Sequence, residues 1–286
     1  MRTSSDRSPR LDSGWEVLVS SVRGAAHHSA GRPNEDAQAW RPVKEAGPGI
    51  VAAVADGHGH ARHFRAARGA QLAVESGCEC AAHFAVQLGD ADSSDQIEAL
   101  ARTDLVPALV EAWLRAVAAD HDASEFTTEE EAIRTVADDK AVVAYGSTLI
   151  VAVLGHRWVV LAQIGDGDVV ALRPDSRIDS PVPVDPTLDG LYTTSLCQPN
   201  AIGSFRVAVI DRSATPFVGI LLATDGFGNA QAADPWQPAV GADIIAMLHQ
   251  HGSRWVRRHL PSWTERCASR EGSGDDTTVL LAVSQP

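Results

Sequence analysis

The period of the apolar residues changes twice along the chain. Trp15 to Val22 alternates apolar and polar side chains, the two-residue repeat of a strand buried on one face. A weaker strand follows Pro33-Asn34-Glu35-Asp36, from Ala37 to about Trp40, and Ile50 to Ala55 is an apolar run short enough to be a buried strand. Val43 to Gly49 between them reads as a hairpin-like connection, and Gly24 to Arg32 as a loop. Then the period lengthens. Ala61 to Leu88 is alanine-rich and predicts a helix with a break near Gly77. Ile97, Leu100, Leu105, Leu109, Trp113, Leu114 and Val117 line one face of a second helix, Gln96 to Ala119, kinked at Pro107; the stripe is a packing face. Glu125 to Lys140 is acidic and fits a loop or a short helix. Strand patterns return at Ser147–Leu154, Trp158–Ile164, Val169–Leu172, Phe205–Ile210, Val218–Ala223 and Thr277–Val283. Ala239 to His259 has helical spacing, and Pro174 to Pro199 is an irregular segment rich in Pro and Asp. Strands, two long helices and then many strands predict an α+β fold with a mostly antiparallel sheet system. Residues 1–14 are polar and of mixed charge and read as a disordered tail before one domain, 15–286.

Composition narrows the function. With 286 residues, 44% of them apolar and 21% charged, the chain can bury a full core. No apolar run approaches a membrane span and the N-terminus has no apolar h-region, so a cytoplasmic location is expected. A net charge of −13 argues against nucleic acid as the main partner. Cys78, Cys80, Cys197 and Cys267 form no Cys-x-x-Cys pair, so they read as reduced thiols and not as a structural zinc site. Lys44 and Lys140 are the only lysines; there is no Gly-Lys-Ser/Thr of a P-loop and no lysine in the C-terminal half for a Schiff base. Nor is there a Gly-x-Ser-x-Gly elbow or a Cys-x5-Arg phosphate cradle.

The chemistry lies where strands end. Asp56 closes the Ile50 run and is followed by Gly57-His58-Gly59-His60. A carboxylate at the mouth of a buried strand costs desolvation free energy unless a cation or hydrogen bonds offset it. The glycines let backbone approach a ligand, so the Gly57 carbonyl is a possible oxygen donor, although an Asx-turn explains this stretch alone equally well. The pattern recurs, however. Leu221-Leu222-Ala223-Thr224-Asp225-Gly226 is another apolar strand ending in Asp-Gly, Val160 to Gly165 ends in Asp166, and Asp275-Asp276 stands before the last strand. Glu35-Asp36 completes five acidic points; adjacent carboxylates face opposite ways in a strand, so Glu35 and Asp36 cannot serve one ion alike. A short turn between their strands brings Asp36 and Asp56 together. Five such points suit a carboxylate cage for Mg²⁺ or Mn²⁺, and two ions ~3.5–4 Å apart hydrolyse phosphate esters through a bridging water without a protein nucleophile. His58-x-His60-x-x-His63 lacks the Asp-x-His order of metallo-β-lactamase-type zinc sites. Asp166-Gly167-Asp168 resembles the aspartyl nucleophile of haloacid-dehalogenase-like phosphatases, but the lysine that chemistry uses downstream is missing.

Taken in order, Asn34-Glu35-Asp36-Ala37, Val54-Ala55-Asp56-Gly57-His58-Gly59, Gly146-Ser147-Thr148, Ile164-Gly165-Asp166, Ala223-Thr224-Asp225-Gly226 and Asp275-Asp276-Thr277-Thr278-Val279 resemble the PP2C-type (PPM) metal-dependent Ser/Thr protein phosphatases, in a divergent bacterial branch, over residues 15–284. The resemblance implies a β-sandwich of two antiparallel sheets flanked by α-helices, with two Mn²⁺ or Mg²⁺ ions and a weaker third at one end. It implies Asp36 as a ligand, Glu35 reaching the second ion, Asp56 bridging both with the Gly57 carbonyl beside it, Asp225 as a further ligand, and Asp275 or Asp276 in the last motif. Asp166 matches the residue linked to the third ion. It further implies hydrolysis of phosphoserine or phosphothreonine on a protein that a Ser/Thr kinase has modified. Two departures stand out. Gly31 replaces the family's phosphate-binding Arg, leaving Arg32, His28 or Arg23 for that task, since arginine grips phosphate through parallel hydrogen bonds. The family's Gly-Asp-Ser-Arg is Gly165-Asp166-Gly167-Asp168. His60 is a candidate general acid to the leaving alkoxide. The alternative is a PP2C-fold regulatory module, weakly active or inactive, that binds a phosphoprotein or kinase; retention of every core acid favours the enzyme.

Overall fold

Residues 14–43, 49–88, 91–137, 140–186, 188 and 192–285 are described by the structure, a computed structural model. The expected tail, apart from Gly14, and most of the hairpin-like connection lie outside the described residues.

The alternating segment forms β1 (Trp15–Val22), which pairs antiparallel with the last strand, β10 (Thr277–Ser284). They belong to a five-stranded sheet in the order β1-β10-β9-β6-β7, with β6 at Asp168–Leu172, β7 at Ile178–Asp179 and β9 at Gly219–Ala223. The second sheet runs β2-β3-β4-β5-β8, where β2 is Asp36–Val43, β3 Gly49–Asp56, β4 Leu149–Leu154, β5 Trp158–Ile164 and β8 Arg206–Asp211. Every pairing in both sheets is antiparallel. β2 continues to Val43, past the expected end at Trp40; it is an edge strand, where Pro42 costs no ladder bond.

The apolar runs are continuous because these strands are buried on both faces. Ile50, Ala52 and Val54 of β3 face the other sheet, packing with Leu222, Leu280 and Ala282. Val51, Ala53 and Ala55 between them face outward into a helical layer of α2 (Ala66–Gln87) and α4 (Val106–Ala123). On the opposite side Leu221, Val279 and Leu281 meet Ile244, Ile245, Val256 and Leu260 of α8 (Gln237–His251) and α9 (Ser253–Cys267). Helix, sheet, sheet and helix thus stack in four layers around three apolar seams. No helix among the described residues is long and apolar enough to cross a membrane.

The helices depart from the sequence expectations in physical detail. α2 does not break at Gly77; at that glycine the helix packs closely on β4, and a Cβ there would stand 3.0 Å from Val151 Cγ2. The single helix expected over Gln96–Ala119 is α3 (Ser94–Leu100), a π-helical turn at Ala101–Leu105, and α4. Pro107 is the second residue of α4, directly after the π-helical turn. Leu114 of the apolar stripe is exposed. Ala239–His259 is two helices, because Gly252 at φ +77° turns the chain between α8 and α9. Short helices that the pattern did not single out are α1 (Ala25–Ser29), α6 (Ala201–Ser204) and α7 (Asp225–Gly228).

The acidic stretch forms α5 (Thr128–Ala137), which has no buried residue of its own. Arg65 holds it. Its Nε and Nη2 each donate to Glu130 at 3.0 Å, its Nη1 donates to Tyr145 Oη at 2.8 Å and to the Ser124 carbonyl at 2.6 Å, and Phe126 lies 4.6 Å from the guanidinium. These hydrogen bonds from Arg65 pull the Glu130 carboxyl down to about 2. Glu130→Ala is therefore expected to cost about 2 kcal/mol at neutral pH. Since the folded-state value is the lower one, this stability is present above the ordinary pKa of 4.5 and is lost as pH falls toward 2. Urea unfolding of both proteins at pH 7 and pH 3 should show the difference shrinking; a constant difference would contradict the pairing.

Candidate active site

Antiparallel pairing gathers the acids at one end of the sandwich. Asp36 opens β2 and Asp56 closes β3, and the two are register partners. Asp166 follows the end of β5, Asp168 opens β6, Asp225 opens α7 after β9, and Asp275 and Asp276 precede β10. The glycines of both Asp-Gly pairs are required by close backbone approach. A Cβ on Gly57 would lie 2.7 Å from the Glu35 and Ala66 carbonyl oxygens, and one on Gly226 would lie 2.0 Å from the Asp276 oxygen.

Threonines support the acids. Thr224 Oγ1 donates to Asp36 Oδ2 at 2.7 Å and accepts the Thr278 N–H at 2.9 Å. Thr148 Oγ1 accepts the Asp56 N–H at 2.9 Å, while the Thr148 N–H donates to the Asp56 carbonyl at 2.8 Å. Asp225 lies beside Asp56, and Asn229 Nδ2 donates to Asp225 Oδ2 at 3.0 Å. Asp36 Oδ1 is buried without a hydrogen-bond partner.

Burial raises these acids first, and their neighbours raise them further. Asp36 is pushed well up by burial and then by Asp276 and Asp225. Asp56 is pushed well up by burial and then by Asp36 and Asp225. Asp225, half-buried beside Asp166, and Asp168, half-buried beside Asp225 and Asp166, are each raised to about 6, first by desolvation. Gln237 Nε2 donates to Asp168 Oδ1 at 3.0 Å. Acidic crowding of this kind favours a proton or a cation among the carboxyls. No group of three or more His, Cys, Asp or Glu among the described residues is already disposed as a metal site.

Asp276 differs from the other acids. Its Oδ1 accepts the Gly24 N–H at 2.6 Å, and its Oδ2 accepts the Glu35 N–H at 2.6 Å and meets His27 Nδ1 at 2.7 Å. It clasps the whole 24–35 loop. Asp275 beside it has a side chain 51% exposed, against 2% for Asp276. Glu35 is buried, and burial raises its pKa despite Arg32, whose Nε and Nη2 grip both its oxygens at 3.2 and 2.6 Å. Arg32 Nη1 donates to the Gly59 carbonyl at 2.6 Å, joining the loop to the Asp56-Gly57 turn.

The histidines separate. His28 is exposed, and its neighbour His27 is the one turned inward to Asp276. His60 is exposed at the rim, where its Nδ1 accepts the Arg62 N–H at 3.3 Å and caps the 3-10 turn Ala61–His63. His58 Nε2 meets Ser195 Oγ at 2.7 Å, and burial drives its pKa down to about 4. His63 Nδ1 donates to the Val143 carbonyl at 2.5 Å. Sequence reasoning gave no role to His27, Thr148 or Thr224, although both threonines stand inside the quoted motifs.

A family model described as "Protein phosphatase 2C" matches residues 23–264. No curated protein sequence matches. Among solved structures, a bacterial serine phosphatase aligns with TM-score 0.59 at 14% identity, covering 94% of this chain and 98% of that one. The Ser/Thr phosphatase Stp1 from Staphylococcus aureus aligns with TM-score 0.59 at 13% identity, covering 99% and 100%. The catalytic domain of the Ser/Thr protein phosphatase PstP, solved in complex with two manganese ions, aligns with TM-score 0.53 at 18% identity, covering 95% and 99%. These likenesses concern the fold: two antiparallel sheets flanked by helices.

Proposed function

Since the chain belongs to the protein phosphatase 2C family, we propose that it is a Mn²⁺- or Mg²⁺-dependent phosphatase acting on phosphoserine and phosphothreonine in proteins. The observation that carries this is the unsatisfied Asp36 Oδ1, buried among carboxyls that burial and mutual repulsion all push upward. A buried acceptor with no donor, in an all-oxygen set, fits a hard cation in kind. Asp36, Asp56, Asp225 and Asp275 would hold two ions with the Gly57 carbonyl, Glu35 would assist from beside Arg32, and Asp166 would serve a third. When bound, the ions supply Lewis-acid charge and an activated hydrolytic water.

The remaining roles fall to side chains. Arg32 is fixed by Glu35 and Gly59, is one-third exposed at 33%, and keeps N–H groups free for substrate phosphate oxygens. His60, exposed at the rim, protonates the departing serine or threonine oxygen. Asp276 positions Glu35 and the loop that carries Arg32, and is not itself available to an ion while it accepts three hydrogen bonds. The substrate is a phosphoprotein, and a Ser/Thr kinase is the natural counterpart.

The purified protein should hydrolyse p-nitrophenyl phosphate and a phosphothreonine peptide with Mn²⁺ and cease in EDTA. Tight Mn²⁺ binding by calorimetry without turnover would identify a regulatory module. Absence of both turnover and binding would sink the site assignment.

A further inference from the structure

One helix carries charge opposite to the rest of the molecule. The chain has a net charge of −13, yet α9 holds Arg254, Arg257, Arg258 and Arg266 against the single acid Glu265. Val256, Leu260 and Thr264 bury its inner face. Arg257 is spent on Glu16 at 2.7 Å. Arg254, Arg258 and Arg266 are exposed, lie on one ridge with Ser262 at a spacing of four residues, and have no ion-pair partner among the described residues.

A second ridge runs beside the first. Trp255, His259 and Trp263 are also four residues apart; the Trp255 and His259 rings stack with centroids 3.7 Å apart, and His251, the last residue of α8, lies over Trp255 at 4.5 Å. Trp263 stands 6.1 Å from Trp255. His259 Nδ1 donates to the Trp255 carbonyl at 2.8 Å, which fixes the ladder. The half-buried rings of Trp255, His259 and Trp263 make a firm wall along the arginines.

The ridge leads to the active site. At the C-terminal end of α9 the Ala268 carbonyl accepts the Ala25 N–H at 2.9 Å, and the Gly274 carbonyl, next to Asp275, accepts the Ala26 N–H at 2.9 Å. From Arg254 to Arg266 the rise is ~18 Å. That length takes about five or six residues of extended peptide, and the ~6 Å step between ridge positions is close to the repeat of alternate side chains on such a peptide.

We propose that the exposed arginine ridge of α9 docks an acidic stretch of the phosphoprotein substrate, with Asp or Glu at alternate positions several residues from the phosphorylated one. The proposal rests on the phosphatase reading. Three arginines are too few to hold nucleic acid against the overall negative charge. The aromatic ladder lies half-buried against its neighbours and offers no large apolar wedge for a bilayer.

The test compares two phosphothreonine peptides, one with an alternating Glu flank and one with Gln in its place. For the unaltered protein kcat/KM should favour the Glu peptide about tenfold at low salt, and about 0.5 M NaCl should close the gap. The triple variant Arg254→Glu, Arg258→Glu, Arg266→Glu should lose the preference while hydrolysing p-nitrophenyl phosphate normally; Lys at the three positions should largely restore it. Fluorescence anisotropy of the labelled, unphosphorylated Glu peptide reads docking without turnover and should show about tenfold weaker binding to the Glu variant. Arginine-dependent binding without any hydrolysis would defeat the phosphatase reading and leave docking intact. Equal treatment of the two peptides, a preference that survives charge reversal, or binding of phosphatidylserine vesicles in place of the peptide would overturn the proposal.

Discussion

Asp56→Asn should lower Mn²⁺-dependent turnover by about a thousandfold, equivalent to ~4 kcal/mol of barrier, while making the metal-free protein more stable. Both effects have one origin. Asp56 faces Asp36 across the strand pair and lies beside Asp225 in a site where desolvation disfavours negative charge. Asparagine keeps the shape and removes one charge, which relieves the neighbours and deprives a cation of a ligand. The sign of the pH dependence follows. Asp36, Asp56 and Asp225 all have folded-state values above the ordinary 3.8, so the folded metal-free protein holds more protons than the unfolded chain. This contribution to stability is full below the ordinary carboxyl value and declines as pH rises through the folded-state values, about 6 for Asp225 and raised for Asp36 and Asp56. A divalent ion bound among these carboxyls would take the place of those protons and should restore about 2.7 kcal/mol at a hundredfold excess over its Kd. Thermal melts at pH 5 and pH 7.5, with EDTA or Mn²⁺, would check this: Mn²⁺ should raise Tm more at pH 7.5, and Asp56→Asn should flatten both dependences. A variant that kept its turnover would remove Asp56 from the chemistry.

Asp276→Ala should be the most damaging single change to the framework, at about 3–5 kcal/mol. Two backbone N–H groups, of Gly24 and Glu35, would lose their acceptor in a buried setting, and His27 would lose its partner. Asp276→Asn keeps one acceptor oxygen and should fall between the two. Urea unfolding measures the loss. Kinetics distinguish this role from ligation: with the loop loosened, KM for a phosphopeptide should rise through Arg32 while calorimetry still detects tight Mn²⁺ binding by the Asn variant. Loss of metal affinity with stability intact would instead make Asp276 a ligand.

The end-of-strand acids were readable because two simple rules converge on them. An apolar run that stops at Asp-Gly marks a strand end, and antiparallel neighbours put alternate ends together; Asp36 and Asp56 as register partners are the direct result. Periodicity was less informative where strands are covered on both sides, since β3 reads Gly-Ile-Val-Ala-Ala-Val-Ala-Asp and does not alternate. Local pattern also missed changes of helical geometry that depend on tertiary packing, such as the π-helical turn before Pro107, and it ran α8 and α9 together across Gly252. Asp275 and Asp276 were indistinguishable as neighbours, because only the folded loop reveals which one meets the Gly24 and Glu35 amides. His27 and His28 posed the same problem one element earlier.

The pairing of β1 with β10 also sets the order in which the protein can mature. β10 is the last strand, yet it lies inside its sheet, between β1 and β9. Trp15 waits for Ser284, a separation of nearly the whole chain, before β1 has a partner. The same late segment brings Asp276 to the Gly24–Glu35 loop. Asp36 and Asp56 can meet as soon as β2 pairs with β3, but Asp275 and Asp276 join them only when β10 inserts between β1 and β9, so the cluster is completed in a slow, long-range step.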